Sequence, residues 1–325
     1  MRAILYTQYG PPELLELAEV EKPAPKDNQV LVKVQAASVN ALDWRPFTLP
    51  SLFIRLLDGG LRKPKDTSMG VAVAGRVEAV GTQVKQFQPG DEVFGVAKGA
   101  FAEYACAAED KLALKPANLS FEAAAAVPVA ASTALQGLRD RGRIQPGQRV
   151  LIYGASGGVG TFAVQIAKAF GAEVTAVCSP RNLDLVRSIG ADHVMDYTQE
   201  NFTRNGQRYD LIIAANGYHP ILDYWRTLNP SGICVVLGGS MAQILQGLLL
   251  GPWLSRLGSK KIGNMLAHSN QKDLVFLGEL LAAGKVVPVV EKRYPLGEVA
   301  EAIRYLIDVH GRGKVVITVE HSGST

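Results

Sequence analysis

VLIYGASGGVGTFAVQIAKAFGAEVTAVCSPRN, residues 150–182, divides by residue type into four pieces. VLIY is an apolar run of strand length and GASGGVG a glycine-rich turn. Thr161–Phe170 carries Phe162, Val164, Ile166 and Ala167 at helical spacing, and AEVTAVC is a second apolar run. Strand, glycine turn, helix and strand in this order predict a βαβ unit of a parallel sheet.

Within the turn, Ala155, Ser156, Gly157, Gly158, Val159 and Gly160 spell A-x-G-x-x-G, one residue away from the dinucleotide fingerprint G-x-G-x-x-G. Gly157 lets a pyrophosphate approach the backbone, and Gly160 lets the helix pack closely on the sheet. The helix that follows points its free amides and the positive end of its dipole at the phosphates. These six residues are therefore expected to hold a dinucleotide. A glycine triplet alone says little; the strand before it and the periodic helix after it give it weight.

The end of the second strand discriminates between dinucleotides, because an NAD site places a carboxylate there on the ribose 2′-hydroxyl. Here the residues are Cys178-Ser179-Pro180-Arg181-Asn182, with no acid. A serine hydroxyl and a guanidinium suit a 2′-phosphate, so Ser179 and Arg181 point to NADPH. Tyr197, in HVMDY after a third short apolar run, closes the same pocket in this reading.

The remainder of the chain fits around this unit. With 325 residues it is long for one core, and two domains are expected. Residues 1–115 read as short strands punctuated by Gly, Pro and Asp: QVLVKVQAASV (29–39), VAVAGRVEAVG (71–81) and QPGDEVFGV (88–96) suggest an antiparallel, barrel-like domain. From 120 the texture becomes helical, with Ser120 as N-cap and Pro128 separating two helices. Apolar runs VLIYGAS, AEVTAVCS, YDLIIAANG and GICVVLGGS then alternate with helical segments, the pattern of a doubly wound parallel sheet. Near the end, EVAEAIRYLIDV is an amphipathic helix with Val299, Ile303, Leu306 and Ile307 on one face, and GKVVITV is a strand able to complete the first domain's sheet.

The net charge of +4 is far from the dense basic face that nucleic acid requires. Three scattered cysteines without a C-x-x-C support neither a disulfide framework nor structural zinc, and a reducing cytoplasm is expected. No signal peptide and no transmembrane helix are expected. MAQILQGLLLGPWLSRL (241–257) comes nearest to a membrane segment but is interrupted by Gln246, Gly247, Gly251 and Pro252. It is read as covering a cleft or a subunit contact, with peripheral membrane contact through Arg256, Lys260 and Lys261 as the other reading.

GASGGVGTFAVQIAKAFGA, IGADHVMDY, AASVNALDWR, AAVPVAASTALQGL, QPGDEVFGV and GRGKVVI together resemble the zinc-free quinone oxidoreductase branch of the medium-chain dehydrogenase/reductase superfamily. The resemblance covers Met1 to about Glu320. It implies an α/β protein: a discontinuous GroES-like β-barrel catalytic domain (1–118 with 285–325) beside a Rossmann NADP-binding domain (119–284), with the active site in the cleft between. Zinc-dependent relatives carry a cysteine where this chain has Asn40 and a G-H-E where it has Gly70-Val71-Ala72, so no metal is expected.

Asn40 matches an asparagine that sits near the nicotinamide and donates to a carbonyl oxygen gaining charge; its alternative is to bridge loop backbone. Asp43 is read either as catalytic or as a cap on the Trp44–Arg45 amides. Many zinc-free relatives have an aspartate at the position of Ala72, so catalytic proficiency is in question there. Thr133, Asn216 and Gly238 are expected near the nicotinamide. TLPSLFIRLLDGGLRKPKD (48–66) is read as a cleft lid, with Phe53, Leu56 and Leu57 facing an apolar substrate and a solvated basic end, Arg62, Lys63 and Lys65, whose other reading is contact with a membrane surface. A homodimer through ICVVLGG (233–239) as sheet edge is implied as well.

The function expected from the resemblance is NADPH-dependent hydride transfer to a small apolar quinone or α,β-unsaturated carbonyl. A metal-free alcohol or aldehyde oxidoreductase and a weakly active NADPH-binding sensor are the alternatives.

Overall fold

A computed structural model describes residues 1–48, 62–309 and 311–321. Phe53, Leu56 and Leu57 of the expected lid lie outside the described residues. The chain forms two compact units, Met1–Val129 with Ser269–Ala282 and Pro288–Thr325, and Ala130–His268 with Ala283–Val287. Residues 119–129 and 269–282 thus group with the first unit.

Along the chain the first unit supplies β1 (Arg2–Tyr6), β2 (Leu15–Glu19), β3 (Gln29–Ser38), β4 (Ala72–Val80), β5 (Glu92–Val96), β6 (Tyr104–Ala108) and β7 (Leu112–Leu114). The second unit supplies β8 (Arg149–Tyr153), β9 (Glu173–Cys178), β10 (His193–Asp196), β11 (Tyr209–Ala214), β12 (Leu228–Val236) and β13 (Lys261–Asn264). The chain then returns to the first unit for β14 (Val290–Pro295) and β15 (Lys314–Thr318).

In the first unit the sheet runs β14-β15-β3-β4-β5-β7, with β6 also on β3 and β1-β2 as a separate pair. Pairing is antiparallel except between β14 and β15, as the short, turn-separated strands of the sequence predict. Ten-residue β3 serves two partners on one side: Gln29–Lys33 pair with β6 and Ala36–Ser38 with β15. Val30, Val32 and Val34 of β3 join Phe101, Leu112, Ile303 and Ile317 in one core. Val299 and Ile303 of the last helix, Val299–Val309, are buried in it, and Leu306 and Ile307 pack against it, the face expected from the sequence. The β15–β3 register matters for function: Ser38 lies opposite Val316, which brings the loop after β3 beside the start of β15.

In the second unit six parallel strands run β10-β9-β8-β11-β12-β13. That is the doubly wound Rossmann order, in which ligands bind beyond the C-terminal ends of the strands where the order reverses, here at the neighbours β8 and β11. Ser120 caps the helix Phe121–Ala125 of the first unit by accepting from the Ala123 amide at 3.2 Å, and the next helix, Ala130–Gln136, begins beyond Pro128.

Two expectations need correction. Residues 233–239 do not form the sheet edge, because β12 has β11 on one side and β13 on the other. The edge strand Lys261–Asn264 reads KIGN, too short and polar to be recognised by its pattern. Nor is 241–257 an interrupted segment: Met241–Leu254 is a single helix, N-capped by Ser240. Two of the supposed breaks, Gly247 and Gly251, lie on its packing face. A Cβ on Gly247 would overlap the Asn264 side chain, and one on Gly251 would stand 3.0 Å from the Ile262 carbonyl oxygen. Helix and edge strand approach closely because these residues lack side chains.

Candidate active site

The glycine turn sits at the C-terminal end of β8. Gly157 is the N-cap, with extended backbone (φ −77°, ψ 173°), and the helix runs Gly158–Ala169, starting three residues earlier than the periodicity predicts. Gly158, Val159 and Gly160 therefore form its first turn, where amides have no acceptor within the helix. The two key glycines differ physically. A Cβ on Gly160 would fall 2.1 Å from the Gly154 carbonyl oxygen and 2.7 Å from Ala155, so only glycine permits that approach. A Cβ on Gly157 would meet a single atom, Gly154 O at 3.5 Å, and otherwise extend into open space. The space before this helix N-terminus is open, as an anion site requires.

Beside it the structure builds a polar cluster that the sequence reading did not include. Asn182, 3% exposed, donates through Nδ2 to Ser156 Oγ at 2.9 Å and to Ser179 Oγ at 3.1 Å. Both hydroxyl oxygens thus act as acceptors, which leaves both O–H groups as donors. Asn182 Oδ1 is buried with no partner. With Arg181 exposed on the same turn, Pro180–Asn182, and no carboxylate at the end of β9, the residues fit a phosphate monoester rather than a vicinal diol. The signal for Asn182 was its place in the PRN turn, but only the fold shows that its amide faces two serines.

Of the other expected residues, Tyr197 follows β10 and is 54% exposed, its N–H donating to Cys178 O at 3.3 Å. Asn216 adjoins the glycine turn: a Cβ on Gly154 would lie 2.9 Å from Asn216 backbone and Cβ atoms. Gly238 follows β12 and approaches the Ala215 carbonyl. These residues and Ala155, whose N–H donates to Val177 O at 3.0 Å, cluster at the C-terminal ends of the strands. Thr133 lies half-buried on the helix Ala130–Gln136, which packs on Gly158–Ala169.

In the first unit, Asn40 and Asp43 are both buried, at 5% and 3% exposure. Asn40 ends the β3 loop, and the helix Ala41–Thr48 follows. Asp43 Oδ2 accepts from the Asn40 N–H at 2.7 Å and the carboxyl also accepts from Gly70 N–H. It therefore caps backward across one turn rather than onto Trp44 and Arg45, because the third residue of a helix reaches the N-cap amide.

The unexpected member is Lys314, from the start of β15. It is 4% exposed, and its Nζ donates to Asn40 Oδ1 at 2.6 Å and to Val39 O at 2.7 Å. Asn40 Nδ2 donates to Ser38 O at 2.7 Å, with Ser38 Oγ at 3.4 Å, so one amide hydrogen is only weakly engaged. Ala72, the position of the missing acid, is fully buried opposite Ser38 and Val96. A hollow of about 290 Å³ adjoins the loop, lined by Leu42, Asp43, Asp66, Ser68, Met69, Gly70, Val71 and Val96–Gly99, with Asp66 and Lys98 paired at 2.8 Å.

Burial pushes the Asp43 carboxyl up to about 7, against the opposing pull of the Asn40 N–H and the Lys314 charge. It pushes Lys314 down to about 8, opposed by Asp43. The raised acid favours the fold below its ordinary 3.8, a contribution lost as pH rises through about 7. The lowered lysine favours the fold above 10.5, a contribution lost as pH falls through about 8. Stability from this pair is thus lowest between about 7 and about 8. Denaturant midpoints should fall for the wild type as pH rises toward 7 and fall less for Asp43→Asn. Parallel curves would exclude Asp43 as their source.

Residues 26–117 match the family described as alcohol dehydrogenase GroES-like domain, and 189–317 match the family described as zinc-binding dehydrogenase. The chain is 35% identical over 334 residues to 2-methylene-furan-3-one reductase of Solanum lycopersicum, spanning 98% of this chain and 79% of that protein. The chain belongs to the quinone-oxidoreductase-like branch of the medium-chain dehydrogenase/reductase superfamily.

The fold of this superfamily member is matched by the quinone oxidoreductase from Coxiella burnetii, with a TM-score of 0.86 at 29% identity over 98% of this chain and 99% of that one. It is matched also by the Escherichia coli quinone oxidoreductase complexed with NADPH, at a TM-score of 0.83 and 26% identity over 98% and 100%. No group of three His, Cys, Asp or Glu side chains among the described residues is placed to hold a metal ion. At Asn40 the Lys314 ammonium occupies the amide oxygen, and a cation there opposes a second cation.

Proposed function

We propose that the chain is a metal-independent, NADPH-dependent oxidoreductase that delivers hydride to a quinone or an α,β-unsaturated carbonyl. The observation that carries the cofactor half is the Ser156–Asn182–Ser179 cluster with Arg181 where an NAD site has an acid. The substrate half is supported by the names of the relatives, a furanone reductase and quinone oxidoreductases.

Bound NADPH supplies the hydride. The chain's part is to hold and orient: first-turn amides at Gly158, Val159 and Gly160 take the pyrophosphate, and Ser156, Ser179, Arg181 and Tyr197 take the 2′-phosphate. Ala155, Asn216 and Gly238 at the strand ends and Thr133 on the helix Ala130–Gln136 would hold the nicotinamide half of the cofactor. Asn40 offers its weakly engaged N–H to the carbonyl oxygen that gains charge, and Asp43 fixes its loop. No His, Tyr or Lys is assigned as proton donor, and acceptors such as quinones and enones tolerate protonation from solvent.

Turnover should be found with NADPH and quinones or enones, and should be unchanged after prolonged dialysis against a chelator. Turnover of simple aldehydes alone would overturn the substrate class; loss on chelation restored by zinc would overturn metal independence. NADPH binding without turnover of any acceptor would favour the sensor reading.

We also infer a homodimer, supported by the edge strand Lys261–Asn264, which among the described residues pairs only with β12. Met241, Leu245, Leu248, Leu249 and Trp253 are exposed on the neighbouring helix, a stripe suited to a subunit contact. Sedimentation with anionic liposomes tests the membrane reading of that stripe. No described helix is long and apolar enough to cross a membrane, and the three free cysteines support the cytoplasm as compartment.

A further inference from the structure

Lys314 stands 274 residues from Asn40 in sequence, yet its ammonium is 2.6 Å from the Asn40 amide oxygen. A buried lysine is expensive unless its hydrogen bonds are made, and here they go to the two oxygens of one short loop, Val39 O and Asn40 Oδ1. The strand that carries it is fixed independently: the Lys314 N–H donates to Val289 O at 2.8 Å, and β15 pairs with β14 along Lys314–Thr318 and with β3 through Val316–Thr318. The ammonium is therefore held by the sheet rather than by the loop it binds.

From this geometry we propose that Lys314 is a positioning residue: it fixes the orientation of the Asn40 side-chain amide, so that the amide nitrogen and not its oxygen is presented to an incoming carbonyl. An ammonium has three donors and no acceptor, so it selects the oxygen of the amide and excludes the flipped rotamer. With the oxygen taken, Nδ2 turns to Ser38, where one N–H is spent on Ser38 O and the other keeps only the 3.4 Å approach of Ser38 Oγ. That second hydrogen is the one free to follow a substrate oxygen. Without the ammonium, the amide can turn over and meet the carbonyl with its own lone pairs. Asp43 holds the other side of the residue, at the Asn40 backbone N–H, and is the charged group to which the ammonium is coupled. Asn40 is thus held through backbone and side chain by groups from two elements.

The inference rests on the proposed role of Asn40, and a double-mutant cycle separates the two. With NADPH and a quinone, Lys314→Met and Asn40→Ala should each lower kcat by up to about 10²-fold, the scale of misplacing one reacting group. The NADPH dissociation constant should stay at the wild-type value in both. Because Lys314 acts through Asn40, the double variant should be no slower than Asn40→Ala alone. If the two losses multiply instead, or if Lys314→Met turns over like the wild type, the positioning role is overturned. An Asn40→Ala protein of wild-type kcat removes the reading of Asn40 beneath it. Lys314→Arg keeps a cation with several donors and is the variant to read should Lys314→Met fail to fold. Its kcat should fall less than tenfold, and a loss as large as that of Asn40→Ala would overturn the proposal.

Discussion

Replacing Arg181 by aspartate is expected to raise the dissociation constant for NADPH by about 30- to 150-fold while leaving that for NADH within a few fold. The estimate follows from losing one charge-assisted hydrogen bond, about 2–3 kcal/mol. Arg181 is exposed, so the like charge introduced against a 2′-phosphate is partly screened, and no larger figure is warranted. Ser156, Ser179 and Asn182 remain, and their hydroxyl donors keep some affinity for the phosphate. The loss should therefore shrink as salt is raised, whereas a loss caused by misfolding would not. Fluorescence titration with both cofactors at low and high salt checks this. Equal weakening of NADPH and NADH would mean that Arg181 does not contact the 2′-position.

The second large effect separates two glycines that look alike in sequence. Gly160→Ala places a methyl 2.1 Å from the Gly154 carbonyl oxygen, an overlap between backbone segments that no side-chain rotation relieves. It should cost about 1–3 kcal/mol of stability or more, with cofactor binding falling alongside. Gly157→Ala places its methyl 3.5 Å from the same oxygen, an ordinary contact, so the thermal midpoint should hardly move. Yet that methyl extends into the space before the helix N-terminus, where a pyrophosphate would lie. NADPH affinity should fall by about 5- to 150-fold, the same 1–3 kcal/mol of overpacking felt by the ligand. Thermal unfolding of both variants with and without NADPH reads the split. A Gly157→Ala protein that binds NADPH normally would remove the loop from the phosphate site.

The two glycines also mark how far residue order reaches. That a strand, a glycine turn and a helix follow one another is local information, carried by apolar spacing and by the absence of side chains, and 150–182 states it in full. So does the missing acid near Arg181. Asn182 was within the same stretch and was not recognised, because an asparagine in a turn has many partners open to it until the chain ends of β8 and β9 are placed side by side. Gly247 and Gly251 were misread for a related reason: a glycine reads as a break when its neighbour is unknown, and as a contact once the Lys261–Asn264 strand lies 3.0 Å from where its Cβ would be.

Asp43 was legible as a loop-ordering residue but not in its target. The amides it caps belong to Asn40, one turn back, and to Gly70, beyond a segment whose path residue spacing does not fix. Lys314, in GRGKVVI, gives no local sign of its role, since a lysine opening a strand is ordinarily solvated.

By itself the sequence determined the two kinds of sheet and the glycine turn between strand and helix, all of which depend on residues within about one turn or strand of each other. Only the tertiary structure decided the pairing of Lys314 with Asn40, the Asn182 cluster and the edge strand. Those depend on sheet register between distant segments, and register is set by the packing of the whole core rather than by any local pattern.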